Sequence, residues 1–164
     1  MSRLFPPELP ICGGCPCKAV RFSIKAVPLL VYACHCPDCQ RRSGSAFGLT
    51  MLVKTEGFTV TCGTPKFWRQ IGAGAAESTH WFCGVCGGGI ACEKRARSDI
   101  TAVHAGTLDD TSWMRPIAHV QLRHAQAWQR IPNDAACFEL MPSDLESLSG
   151  KWQDLWQSVR WVTA

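Results

Sequence analysis

Three cysteines fall within six residues in the stretch YACHCPDCQRRSGSAFG (Tyr32 to Gly48), where Cys34, Cys36 and Cys39 form a C-H-C-x-x-C run. Thiols at that spacing can ligate one ion from a single turn of chain. They are one short of the four donors that close a structural zinc site, and three protein ligands with a fourth position left to water or substrate is the arrangement of catalytic zinc. Two more groups stand elsewhere: ICGGCPCKAVRF carries Cys12, Cys15 and Cys17, and FCGVCGGG carries Cys83 and Cys86. In the latter, a glycine after each cysteine lets the backbone turn tightly enough for its N–H groups to reach the sulfurs of a zinc knuckle. Such a knuckle needs two further thiolates. Spacing leaves two candidate pairs open, Cys12 with Cys15 as a second C-x-x-C, or Cys15 with Cys17, alternate strand residues that point the same way.

Three thiolates donate heavily, so a zinc ion held by them is a weak Lewis acid and a poor source of hydroxide. It suits a soft ligand better. A substrate thiol bound there as thiolate would have its pKa lowered and stay nucleophilic, which points to carbon–sulfur chemistry. His35 lies between two of the thiols, and in an extended run its side chain should face away from them, in a supporting or core role.

Eleven cysteines among 164 residues is a high count. MSRLFPPELP has no apolar signal-peptide region and the longest apolar run, VPLLVYAC, is far short of a membrane span, so the expectation is a cytoplasmic protein with reduced thiols and no membrane association. Metal binding then outranks a disulfide framework, as the odd count agrees. The formal charge is +4. One zinc with four thiolates and one with three would leave about +1, so the basicity is no argument for nucleic acid, and no basic run interleaved with aromatics supports one.

These thiols must be positioned by a β scaffold. Period-two alternation recurs in AVRFSI, FTVTC, KFWRQ, HWFC, ITAVHA and AHVQL, each bounded by turn residues, which predicts one mainly antiparallel β domain. Helix is expected in two places. One follows the cysteine run, with Pro37 at its first position, Arg41 and Arg42 in its last turn and Gly44 at its exit, so that its N-terminus favours the thiolates of Cys36 and Cys39. The other is the tail, where Ser143 and Glu146 fit a capping box and Leu145, Leu148, Trp152, Leu155, Trp156 and Val159 share a face that should pack over the sheet. Gly150 could split it. The three tail tryptophans, Trp152, Trp156 and Trp161, are read as packing residues rather than a membrane surface.

The ordered motifs GGCPCKAVRF, CHCPDCQRRSGSAFG, FCGVCGGGI, AGTLDD and RPIAHVQLRHAQAW, from about Gly13 to Phe138, resemble the glutathione-dependent formaldehyde-activating enzyme family, which includes centromere protein V. The resemblance implies a zinc-binding β-tent fold and two zinc ions: a structural one on Cys15, Cys17, Cys83 and Cys86, and a catalytic one on Cys34, Cys36 and Cys39. The expected organisation is an N-terminal extension over 1–11, the zinc-binding domain over 12–141 and, from helical spacing, a C-terminal amphipathic helical segment over 142–164. The implied activity is that of a carbon–sulfur lyase joining glutathione, or a related thiol, to formaldehyde or another small aldehyde. Two departures stand out. Lys18 occupies a position where the family usually has glycine, and the tail after Met141 lies outside the shared pattern and could set a homo-oligomeric state.

Glutathione carries two carboxylates, and Arg41, Arg42, Lys54 and Arg69 lie near the metal motifs in sequence. Arg41 and Arg42 are the substrate-binding candidates, weighed against ordinary surface charge. His119 falls in the family's P-x-x-H motif, from Pro116, and with His104 and His124 is read as structural. Cys62, Cys92 and Cys137 are expected as buried small hydrophobes, and Trp68, Trp81, Phe82, Trp113 and Trp128 as core. Two rival functions follow from the same residues: a non-catalytic zinc-binding interaction module, and a thiol redox protein using Cys12 and Cys15.

Overall fold

The computed structural model describes residues 7–71 and 77–158. These form a mainly β chain of eleven strands in two sheets with two α-helices and short 3-10 turns. The chain divides into two compact units.

One unit comprises Pro7–Pro28 and Met51–Thr111. It holds a three-stranded antiparallel sheet of β1 (Ile11–Gly14), β2 (Arg21–Ile24) and β5 (Phe58–Cys62), in the order β1-β2-β5. Phe22 and Ile24 of β2 are fully buried, as the alternation in AVRFSI predicts, and Phe22 packs on Phe58 at 5.2 Å between ring centres. The second set of strands here is β6 (Lys66–Ile71), β7 (Glu77–Phe82), β8 (Gly89–Lys94) and β9 (Arg97–His104), an antiparallel run of neighbours. β6 is the outermost strand and its aromatics are not core: Phe67 and Trp68 are exposed, with Trp68 stacked on His80 of β7.

The other unit comprises Leu29–Thr50 and residues 112–158. Its strands are β3 (Leu30–Cys34), the start of β4 (Gly48–Lys54), β10 (Ala118–Val120) and β11 (Ala136–Cys137), in the order β11-β10-β3-β4. β10 runs parallel to both β3 and β11, a departure from the antiparallel expectation. Parallel neighbours require long crossovers, and here 83 residues separate the end of β3 from the start of β10, so no hairpin constrains their direction. β3 is buried at every position, because strands flank both its edges and the tail helix packs on it. A strand covered on both faces loses its period of two, so LVYAC reads in sequence only as an apolar run.

Helix α1 (Pro37–Ser43) forms where its signals predict: Cys36 is the extended N-cap, Pro37 opens the helix, and Gly44 closes it at φ 60°, a left-handed conformation that glycine adopts without strain. Helix α2 (Leu145–Ser158) runs unbroken through Gly150 and buries Leu148 and Trp152. Trp156 meets Trp113 edge-on at 5.7 Å. Its cap is Asp144, whose Oδ1 accepts the Ser147 N–H at 2.9 Å, so the cap lies one residue later than Ser143. Val159, Trp161 and the side chain of Glu146 lie outside the described residues, as do residues 1–6 of the N-terminal extension. No described helix is long and apolar enough to cross a membrane.

Candidate metal centres

The Cys15, Cys17, Cys83 and Cys86 sulfurs all lie within 4.8 Å of one another. Cys15 and Cys17 lie in the turn between β1 and β2, and Cys83 and Cys86 sit in the turn between β7 and β8. Cys17 Sγ lies 3.5 Å from Cys15 Sγ and 3.7 Å from Cys83 Sγ. A tetrahedral zinc with Zn–S near 2.3 Å requires sulfurs ~3.8 Å apart, so the donor set fits that ion. Backbone N–H groups point at the sulfurs: Val20 donates to Cys15 Sγ at 3.2 Å and Val85 to Cys83 Sγ at 3.4 Å. The N–H groups of Gly88 and Cys17 bring the Cys86 thiol down to about 6, favouring the thiolate a metal needs. Of the two pairs that spacing leaves open, Cys15 with Cys17 is the one whose sulfurs gather with those of Cys83 and Cys86. Cys12 stays exposed, directing its thiol at the Pro10 carbonyl, 3.8 Å away, whereas Cys15 is buried and grouped with the other three sulfurs.

Lys18 stands at φ 63°, in the left-handed region, and its N–H closes a turn onto the Cys15 carbonyl at 2.9 Å. The turn that carries Cys17 therefore demands a conformation natural to glycine, held here by a lysine.

The second group is Cys34, Cys36 and Cys39, again with sulfurs within 4.8 Å of one another. Cys34 ends β3, Cys36 caps α1 and Cys39 lies one turn inside it, so strand exit and helix entry converge the three thiols. Among the described residues no fourth His, Cys, Asp or Glu joins them. Cys36 accepts S–H bonds from Cys34 and Cys39, and the Cys39 N–H points at its sulfur at 3.4 Å; together these bring Cys36 down to about 2. Cys34, donating to Cys36 and Cys39 and buried, is pushed far up. Three thiols so packed share one negative charge readily and resist a second, and a divalent cation is what would draw off the remaining protons.

His35 is fully buried and points away from the trio, with Nε2 2.9 Å from His119 Nδ1. Burial pushes both imidazoles down, so the pair is neutral near pH 7. Arg42 Nη2 lies 3.6 Å from Cys39 Sγ, whereas Arg41 projects into solvent and pairs with Asp38 at 3.6 Å. Lys54 faces Asp99 at 3.8 Å, and Arg69 lies over the Phe67 ring.

Several expectations are corrected. Cys62 and Cys137 are exposed, because β5 and β11 are outer strands whose side chains meet solvent on one side, and Cys92 of β8 is only half-buried. None of them joins a metal group among the described residues. Trp128 is 70% exposed, on a loop that sequence periodicity does not describe. Sequence reasoning also missed Gln40, whose side chain ties α1 to that loop; nothing in its spacing marks it.

A β scaffold presenting one four-thiol and one three-thiol group defines a thiolate protein able to hold two metal ions, zinc among them. The model of the family described as "Glutathione-dependent formaldehyde-activating enzyme" matches residues 10–124. The chain belongs to that family. No curated protein matches it. A solved structure of a Rhodobacter sphaeroides protein is similar at 22% identity and a TM-score of 0.49, covering 60% of this chain and 88% of its own.

Proposed function

We propose that the protein is a zinc enzyme of carbon–sulfur chemistry that joins glutathione, or a related thiol, to formaldehyde or another small aldehyde. The observation that carries this reading is the convergence of Cys34, Cys36 and Cys39 with no fourth protein donor among the described residues. Zinc held there would supply charge stabilisation for a thiolate or an aldehyde oxygen at its remaining position. In the overall reaction the sulfur forms a bond to the carbonyl carbon, the C=O π pair moves to oxygen, and the thiol proton ends on that oxygen. The chain's own part is placement and charge. The Cys39 N–H and the Arg42 guanidinium offset the negative charge that accumulates on Cys36 and Cys39. Arg42, with Arg41 beyond it, is suited to a substrate carboxylate. His35, turned into its pair with His119, leaves the thiols as the ligand face of the segment. Cys15, Cys17, Cys83 and Cys86 hold the second zinc in a closed, structural role.

The test is zinc content together with exchange between formaldehyde and S-(hydroxymethyl)glutathione, followed by NMR in wild type and Cys36→Ser. Two zincs with exchange accelerated over background and lost in the variant support the enzyme. Two zincs with no accelerated exchange leave a binding module, and a single zinc removes the site assignment.

A further inference from the structure

Helix α1, which carries Cys39, is fastened to the loop that follows β10. Gln40 uses its whole amide there: Nε2 donates to the carbonyl oxygens of His35 at 2.7 Å and His124 at 2.9 Å, and Oε1 accepts from Gln126 Nε2 at 3.3 Å. Gln126 Oε1 in turn accepts the Trp128 indole N–H at 2.6 Å. The polar edge of that indole is thus satisfied by the protein while the ring is 70% exposed. The ring is an apolar platform held by its N–H and tied through Gln126 to Gln40, the residue that follows Cys39. In the same loop Arg123 is exposed, donates Nε to His124 Nε2 at 3.0 Å, and pairs with no carboxylate among the described residues. Its terminal nitrogens keep the fork that grips a carboxylate.

We propose that Leu122–Trp128 is the binding lip for the peptide body of the thiol substrate, with Trp128 packing on its backbone, Arg123 pairing a carboxylate, and Gln40 acting as the positioning residue that sets the lip against the thiol helix. This rests on the reading of Cys34, Cys36 and Cys39 as the site of a small-molecule thiol. An extended tripeptide spans ~10 Å, enough to have its sulfur at the trio while its body lies along a loop held by the residue next to Cys39. The occupant is therefore a short peptidic thiol with free carboxylates rather than a simple alkyl thiol.

The experiment compares glutathione with 2-mercaptoethanol, which has a thiol and no peptide, as co-substrates of formaldehyde in wild type, Gln40→Met, Arg123→Met, Trp128→Ala and the double variant Gln40→Met/Trp128→Ala, with zinc content measured throughout. The expected result is a KM for glutathione raised about three- to tenfold in each single variant, with kcat changed by less than about twofold, two zincs retained and kinetics with 2-mercaptoethanol unchanged. Because Gln40 acts through the lip, the double variant should lose less than the two single losses combined. Equal losses with both thiols, or additive losses in the double variant, would overturn the proposal while the catalytic reading stands. If wild type accelerates no adduct formation with either thiol, the catalytic reading falls. The lip is then judged by saturation-transfer NMR with S-methylglutathione: binding lost in Trp128→Ala upholds it, and no binding by wild type overturns it.

Discussion

Gly48 opens β4 directly against a proposed metal ligand, and replacing it with alanine perturbs the three-thiol group without touching a sulfur. A Cβ at Gly48 would lie 3.1 Å from Cys39 Cβ and 3.5 Å from Cys39 Sγ. Carbon atoms rest at ~3.5–4.0 Å, so the two groups must separate by about 0.5 Å. Cys39 sits in a short helix capped at both ends, by Cys36 and Gly44, which limits how far it can yield. Metal–ligand distances tolerate only about 0.2 Å, so a displacement of this size carries Cys39 Sγ out of register with Cys34 and Cys36. Overpacking of this kind costs about 1–3 kcal/mol, which, borne by the metal-loaded geometry, weakens zinc at the three-thiol group about five- to 150-fold. The assay is a chelator titration with colorimetric zinc release, in which Gly48→Ala should surrender one zinc at lower chelator and hold the other at the wild-type midpoint. Gly88→Ala is the reciprocal variant, since its Cβ would meet Pro16 Cδ at 2.8 Å and Cys86 Sγ at 3.4 Å, and it should loosen the four-thiol group. A Gly48→Ala protein that releases both zincs as wild type does would refute the coupling drawn here between β4 and Cys39.

Lys18→Gly should stabilise the protein by up to about 1 kcal/mol, because it removes the left-handed strain of an L side chain at φ 63° and gives back only part of it as unfolded-state entropy; a denaturant midpoint that falls would contradict this. The Arg21 guanidinium beside Asp109 holds that carboxyl below its ordinary 3.8, so its stabilisation is present above pH 3.8 and lost as pH falls through the depressed value. Asp109→Asn should accordingly cost about 0.5 kcal/mol at pH 7, small because the pair is half in solvent, and progressively less as the pH is lowered below 3.8; a cost that does not shrink on acidification would show that the ion pair is not the source.

Much of this architecture was legible in the residues. Alternation in FTVTC, KFWRQ and ITAVHA marks β5, β6 and β9, and Pro37 and Gly44 bracket α1, because strand periodicity and helix capping are local rules that a few neighbours satisfy. The three-thiol group was equally legible, since Cys34, Cys36 and Cys39 stand on one turn of chain. Other features were not. LVYAC carries no period once both faces are covered, and KFWRQ alternates without showing that β6 is an outer strand that leaves Trp68 in water.

The chain alone determined that thiols cluster, that a helix turns Cys36 and Cys39 together, and that Cys83 and Cys86 need two distant partners, since each follows from spacing over fewer than ten residues. Only the tertiary structure decided that those partners are Cys15 and Cys17 rather than Cys12, that Lys18 bears a glycine's conformation, and that Gln40 joins the thiol helix to Trp128. Each of these depends on which way a side chain points once segments up to some 85 residues apart are brought together, and spacing along the chain holds no record of that direction.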